Sequence, residues 1–398
     1  VDDMSDNNVK TIIGEVFNEI ADAMKTGNFG SRVKVGLTTL GSEHGTAELV
    51  KGAEMAAKKY SDFEIVLIGP KADTALRIVE VNNEEEMHHK MDAMLQAGEL
   101  DAAVTMHYNF PIGVSTVGRV VTPGFGKELI MAATTGTSST NRVEGLVKNT
   151  LYGIIAAKAI GVENPTVGIL NIDGARKVEG ALKELKSKGY DINFSESVRS
   201  DGGIVMRGND LLAAAADIIV MDSLTGNLMM KIFSAFTTGG SYEAMGYGYG
   251  PGVGEHYDKI ICILSRASGA PVVSEALRYA ASCAKGKLQQ IAKEEFAKAR
   301  KAGLDDILKG LTVESGKAAS KEDYKMPDKK TVVHSIAGID ILELDNAVMT
   351  LGKAGIYSES GMGCTGPIVL VAEEDYNKAI DILLGNKFIS ERPLESHC

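Results

Sequence analysis

Val33-Lys-Val-Gly-Leu37, then Thr46–Tyr60, then Glu64-Ile-Val-Leu-Ile68 closed by Gly69-Pro70, set the terms for the whole chain. Both short runs are apolar and of strand length, and the stretch between them carries apolar positions at helical spacing. A helix over Asn83–Gln96 and strands at Ala102–Met106 and Glu128–Ala132 keep up the alternation. This is the rhythm of a parallel sheet with helices on both faces, and such sheets gather ligands at the carboxyl ends of their strands.

The rhythm returns further along. Helices are expected at Val143–Ile160, Ala175–Lys188, Asn209–Ala216 and Leu228–Ala235, and strands at Val167–Ile172, Ile192–Phe194, Ile218–Met221 and Lys259–Leu264. Helices over Pro271–Ala284, Leu288–Ala302 and Leu304–Leu311 close the unit. An amphipathic helix over 9–26, with Ile12, Val16, Phe17 and Ile20 on one side, precedes it. Gly239 to Gly254 has glycines interleaved with tyrosines and cannot be a helix; it reads as a surface loop or a lid, the loop being the plainer expectation. Residues 313–330 are lysine-, serine- and acid-rich and read as a linker. Beyond it the order strand, helix, strand, strand, helix predicts a small βαββα domain over 331–398. The expected fold is therefore α/β: two doubly wound halves, about 1–142 and 143–312, around a cleft, with a small C-terminal α+β domain.

With 398 residues, 44% hydrophobic and 24% charged, the chain has the composition of an ordinary globular protein of two or three domains. A net charge of −11 argues against nucleic acid or an anionic membrane as partner. No apolar run reaches the ~18 residues of a membrane span, and no leader pattern opens the chain. Cys262, Cys283, Cys364 and Cys398 are far apart, with neither zinc nor disulfide-framework spacing, so a reducing cytoplasmic setting is expected.

Two stretches could carry chemistry. Ser358-Glu-Ser-Gly-Met-Gly-Cys-Thr-Gly-Pro367 sets Cys364 among residues with little side chain, where a reactant and several N–H groups can approach the sulfur together. It reads as a nucleophile, or as a glycine-rich hairpin that happens to hold a cysteine. Thr134-Thr-Gly-Thr-Ser-Ser-Thr-Asn-Arg142 offers six hydroxyls, a helix start and a guanidinium, which suits an anion such as phosphate. Plain N-capping needs only one or two of those hydroxyls. His44, the adjacent His88 and His89, and Glu255-His256 are weaker candidates. Cys262 and Cys283 read as core, and no cluster has metal-ligand spacing.

Pro165-Thr-Val-Gly-Ile-Leu-Asn-Ile172 and Asp222-Ser-Leu-Thr-Gly-Asn227 resemble the acyl-carrier-protein:phosphate acyltransferases of phospholipid synthesis, over about 33–231. Gly355 to Val369, which those enzymes lack, resembles the smaller subunit of component C of the clostridial glycine/sarcosine/betaine reductase complex, and that resemblance spans essentially the whole chain. It implies an acetyl thioester on Cys364, released by inorganic phosphate as acetyl phosphate, with no other cofactor and no metal. It implies that Thr137, Ser138, Asn141 and Arg142 hold phosphate while Asp222 and Asn227 shape the cleft. It also implies an oligomer whose partners are a ketoacyl-synthase-like larger subunit and a selenoprotein carrying a carboxymethyl group. Ser223-Leu224 departs from the acyltransferases' Asp-Gly-Phe, which argues against a long fatty acyl substrate. A stand-alone acyl-thioester:phosphate transferase and a non-catalytic scaffold subunit are the alternatives.

Overall fold

The computed structural model describes residues 17, 32–198, 203–315, 327–339, 343–363, 366–386, 388, 389 and 392. The helix expected over 9–26 lies outside them apart from Phe17, as do residues 316–326 of the expected linker.

The first block of strands comprises β1 (Val33–Thr38), β2 (Phe63–Gly69), β3 (Arg77–Glu80) and β4 (Ala102–Thr105), with α1 (Thr46–Lys59) and α2 (Glu84–Gln96) between them. Next come β5 (Val114–Val121), β6 (Glu128–Thr137), α3 (Arg142–Ala159), β7 (Thr166–Leu170), α4 (Ala175–Ser187), β8 (Asn193–Phe194), β9 (Val205–Met206), α5 (Gly208–Ala213), β10 (Ile218–Val220) and α6 (Ser223–Ala235). The body closes with β11 (Gly250–Val253), β12 (Ile261–Ile263), α7 (Ala270–Lys285), α8 (Leu288–Lys301) and α9 (Leu304–Ser315). The last helix runs beyond Leu311, so the start of the expected linker is helical.

Twelve strands among the described residues form one sheet, ordered β3-β2-β1-β4-β12-β11-β5-β6-β10-β7-β8, with β9 beside β7. The doubly wound halves are present but fused. β12 returns to lie parallel to β4, and β11 and β5 are antiparallel strands that splice the blocks together. Because β5 also runs antiparallel to β6, the two parallel blocks point in opposite directions. Spatial halves therefore do not coincide with sequence halves. α7 packs on α1 so closely that a Cβ on Gly52 would lie 2.5 Å from the Val273 Cβ.

Strand residues alternate between two cores. Ile218 and Val220 of β10 face the layer of α1, α3, α4 and α7–α9, whereas Ile219 and Met221 face α2, α5 and α6. That alternation is the period-2 pattern of a strand buried on both faces.

Only the first residues of the glycine-tyrosine stretch, Gly239–Tyr242, are an exposed loop; from Glu243 onward it is largely buried. Its end is β11, fully buried at the centre of the sheet, with Tyr249 2% exposed and its hydroxyl donating to Glu243 Oε1 at 3.0 Å. Glycine is needed there for room. A Cβ on Gly250 would lie 1.7 Å from the Val117 carbonyl oxygen, and one on Gly252 2.4 Å from the Phe110 ring.

Residues 334–385 form β13 (His334–Ala337), α10 (Leu344–Lys353), β14 (Ser358–Gly363), β15 (Gly366–Val371) and α11 (Tyr376–Gly385), the βαββα order. The three strands pair β13-β15-β14 and have their own core around Ile336, Leu351, Val369 and Leu383. Ile112 of the body packs against this core, and Pro111 makes a β-bridge to Gly361.

Candidate active site

Three helices begin where β6, β7 and β10 end. Asn141 caps α3 by accepting from the Glu144 N–H at 3.0 Å, and Asp222 caps α6 by accepting from the Thr225 N–H at 3.0 Å. Gly174, in the left-handed region at φ 89°, opens α4 against Val143 of α3. These caps leave the N–H groups of Arg142 and Val143, and of Ser223 and Leu224, with no carbonyl of their own helix to reach.

Arg142 ties the three starts together. Its Nη2 donates to Asp222 Oδ2 at 3.1 Å and its Nε to the Asp173 carbonyl at 3.2 Å. Asp222 Oδ2 also accepts from the Thr225 hydroxyl at 2.8 Å. Each helix start carries roughly +0.5 charge, and Arg142 a full charge, against the carboxylates of Asp173 and Asp222. The site keeps a modest positive balance, which suits a small anion despite the chain's acidity.

The hydroxyl-rich stretch is divided. Strand β6 runs on to Thr137, so Thr134 and Thr135 lie in the sheet, and both bond the Thr116 hydroxyl of β5, at 2.7 and 2.8 Å. Thr137 ends the strand; its carbonyl accepts from the Gly113 N–H at 2.8 Å. Ser138 is buried between the Ser115 hydroxyl and Asn149 Oδ1, and Asn149 Nδ2 donates to the Met221 carbonyl at 3.0 Å. Ser138 thus fixes the loop to the end of β10. Asn227, at the start of the second turn of α6, has its Nδ2 3.4 Å from the Thr134 carbonyl. Gly226 beside it lies directly on the strand, where a Cβ would sit 1.8 Å from the Ala133 oxygen.

All six expected binding residues, Thr137, Ser138, Asn141, Arg142, Asp222 and Asn227, therefore lie at this edge. Ser115, Asn149 and Asp173 join them unannounced. Of these, Asn149 had a readable signal: a polar residue inside the near-continuous apolar stretch 143–160 demands a buried partner.

Cys364 lies outside the described residues, as does Cys398. On either side of it Gly363 and Gly366 pair across β14 and β15. The bridge from Gly361 to Pro111 brings β14 within two residues of Gly113, which holds Thr137. Cys262 and Cys283 are core residues, and burial pushes both thiols well above the usual range.

The weaker candidates fall elsewhere. Glu255 is held by Arg300 through two bonds, 2.6 and 2.9 Å, as an ion-pair partner. His44 Nε2 lies 3.3 Å from the Ala267 carbonyl. His88 faces His107, not His89, with ring centroids 6.2 Å apart. Burial, with His88 and Arg266 adding to it, lowers the His107 pKa to about 4.

The family model described as fatty acid synthesis protein matches residues 33–370. The glycine/sarcosine/betaine reductase complex component C subunit alpha of Peptoclostridium acidaminophilum is 60% identical over 380 residues, covering 96% of this chain and 98% of that protein. A phosphate acyltransferase of Thermotoga petrophila is 28% identical over 234 residues, 50% of this chain and 67% of that enzyme. Among solved structures, 4-hydroxythreonine-4-phosphate dehydrogenase from Klebsiella pneumoniae aligns with 66% of this chain and 100% of its own, at 11% identity and a TM-score of 0.39.

Proposed function

Because this chain belongs to the fatty acid synthesis protein family, and within it to the glycine/sarcosine/betaine reductase component C alpha subunits, we propose that it carries an acetyl group as a thioester on Cys364 and passes it to inorganic phosphate. The observation that carries this reading is the meeting of helix starts around Arg142, with the cysteine-bearing hairpin tethered beside them through Pro111.

A phosphate oxygen attacks the thioester carbonyl, the new carbon–oxygen bond forms as the carbon–sulfur bond breaks, and the thiolate leaves. Arg142 and the N–H groups of the first α3 turn hold the phosphate, because unpaired donors and the helix dipole favour an anion there. Asn141, Ser138 and Thr137 keep that turn in place, and Asp222 and Asn227 line the facing side. Phosphate competes with Asp222 for the guanidinium, so Arg142 exchanges one anionic partner for another as substrate arrives. The donor of the two-carbon unit is a partner selenoprotein, in a cytoplasmic complex with a ketoacyl-synthase-like subunit. Inorganic phosphate is a substrate, and no other small-molecule cofactor takes part.

Incubating the chain with acetyl phosphate runs the last step backwards. The expected result is one acetyl group on Cys364, seen by peptide mass spectrometry and removed by arsenate. Acetyl phosphate should also protect Cys364 from limiting iodoacetamide, while Cys262 and Cys283 stay unlabelled until the chain unfolds. Full arsenolysis by Cys364→Ser, or acetyl found only on Cys398, sinks the covalent step.

A further inference from the structure

Helix α3 is apolar along almost its whole length, and Tyr152 lies near its middle, buried in the same core as Val147, Leu151 and Ile155. Its ring stands beside Phe296 of α8, with centroids 6.0 Å apart. Phenylalanine would fill that space as well, and a buried hydroxyl costs free energy unless it is bonded. This one is bonded: it donates to the Gly113 carbonyl at 2.5 Å. Burial, with Glu255 and Glu144 adding to it, pushes the phenol well above its usual pKa, so it stays a donor at any working pH.

Gly113 is gripped at both of its polar groups. Its N–H donates to the Thr137 carbonyl at 2.8 Å, and its own carbonyl accepts from Tyr152. Those partners belong to β6 and α3, the elements on either side of Asn141. Gly113 has φ 98°, in the left-handed region that favours glycine, and it sits in a turn where the Val114 N–H donates to the Pro111 carbonyl at 3.2 Å. The rest of the turn faces the small domain. Pro111 bridges Gly361 of β14, and Ile112 packs against the core of that domain. One turn therefore connects the edge that holds the anion site to the hairpin that carries Cys364. A single bond to Thr137 would let the turn pivot, and the second bond, from a buried helix, removes that freedom.

We propose that Tyr152 is a positioning residue for acetyl transfer, its hydroxyl fixing the Pro111–Ile112 turn, and through it the cysteine-bearing hairpin, relative to the first turn of α3. This role rests on the function proposed above. Ten residues of helix separate Arg142 from Tyr152, about 15 Å along the axis, so the phenol acts through Gly113 and not on the anion itself. Without the hydroxyl, Arg142, Asn141 and Asp222 keep their bonds to one another, and the hairpin loses one of its two points of register with them. A misplacement of about 1 Å between reacting groups is enough to cost on the order of 100-fold in rate.

The test compares the full chain with Tyr152→Phe in arsenate-dependent acetyl phosphate hydrolysis, well below both melting temperatures. The variant's kcat should fall roughly 10- to 100-fold while the half-saturating arsenate concentration stays within about twofold. A loss of stability alone moves neither quantity in folded protein. Ile112→Asp, which puts a charge where the turn meets the small domain, supplies the coupling: in that background Tyr152→Phe should cost little more, because two changes on one path are not additive. Hydrogen exchange reads the same grip without the chemistry. Peptides covering 106–114 and 357–363 should exchange faster in Tyr152→Phe, and one covering 141–149 should not. A parent chain that takes no acetyl group sinks the function proposed above and this role with it. An active parent whose Tyr152→Phe variant keeps its kcat overturns the positioning role alone. So does a loss confined to arsenate half-saturation, costs that add in the double variant, or unchanged exchange at 357–363.

Discussion

Replacing Gly226 by alanine tests whether the seat of α6 on β6 sets the candidate site. On helix propensity alone the exchange stabilises by about 1 kcal/mol. The structure demands the opposite sign. The added Cβ would lie 1.8 Å from the Ala133 oxygen, 2.9 Å from its carbon and 3.1 Å from the Thr134 Cα, all backbone atoms that cannot swing aside. To reach even 3.0 Å the helix start must retreat by roughly 1.2 Å, and overpacking of this kind costs about 1–3 kcal/mol. Asp222 and Asn227 travel with that turn. The Asn227–Thr134 contact, already 3.4 Å, is lost, and the 3.1 Å Arg142–Asp222 pair opens. A displacement of about 1 Å in positioning groups costs on the order of 100-fold in turnover. Gly180→Ala in α4 is the control, because a Cβ there meets nothing within 4 Å and should stabilise. Urea unfolding and arsenate-dependent acetyl phosphate hydrolysis read the two quantities. If Gly226→Ala proves as stable as Gly180→Ala and turns over at the parent rate, this packing does not govern the site.

Arg142→Ala should raise the phosphate or arsenate concentration needed for half-maximal turnover by roughly one to two orders of magnitude, the worth of a charge-assisted contact; an unmoved concentration dependence in a folded variant places the anion elsewhere. His107 gives a pH signature of stability. Its folded pKa, about 4, lies below the 6.5 of the unfolded chain, so between those values the unfolded state binds the extra proton. Stability from this group is complete above pH 6.5 and falls as pH drops towards 4, by at most about 1.4 kcal/mol per unit. His107→Asn should flatten that part of a plot of urea midpoint against pH, and an unaltered slope refutes the assignment.

Local pattern made the alternating body legible, and it pointed to the sheet edge where the candidate residues come together. Asn141 and Asp222 announce helix starts by their own chemistry, and Arg142 follows at the first turn. What stayed hidden depends on partners distant in sequence. Strand β11 is Gly-Pro-Gly-Val, a composition that local propensity assigns to loops, whereas β5 is rich in valine and reads as strand except at Gly118-Arg119. Glycine is required at Gly118, Gly250 and Gly252 because Met230, Val117 and Phe110 occupy the space a side chain would fill. The same blindness hid the division of the hydroxyls, since Thr134 turns inward only when β5 supplies Thr116. β12's return to β4 belongs to the same class: no pattern within 259–264 says which strand it will join.

The segment from Met106 to Gly113 is anchored at three places. It leaves β4 beside His107, bridges Gly361 through Pro111, and ends where Gly113 holds Thr137. From Gly361, three residues of chain reach at most about 11 Å, which bounds the distance of Cys364 from the bridge. The thioester proposed for Cys364, on so short a leash, would not be a solute searching for its acceptor. Its local concentration is fixed by the tether, in the millimolar range or above, and does not change when the protein is diluted. Such a carrier would spend its cycle within one small volume, and the rate of the proposed acetyl transfer would then follow how far the anion site is filled with phosphate.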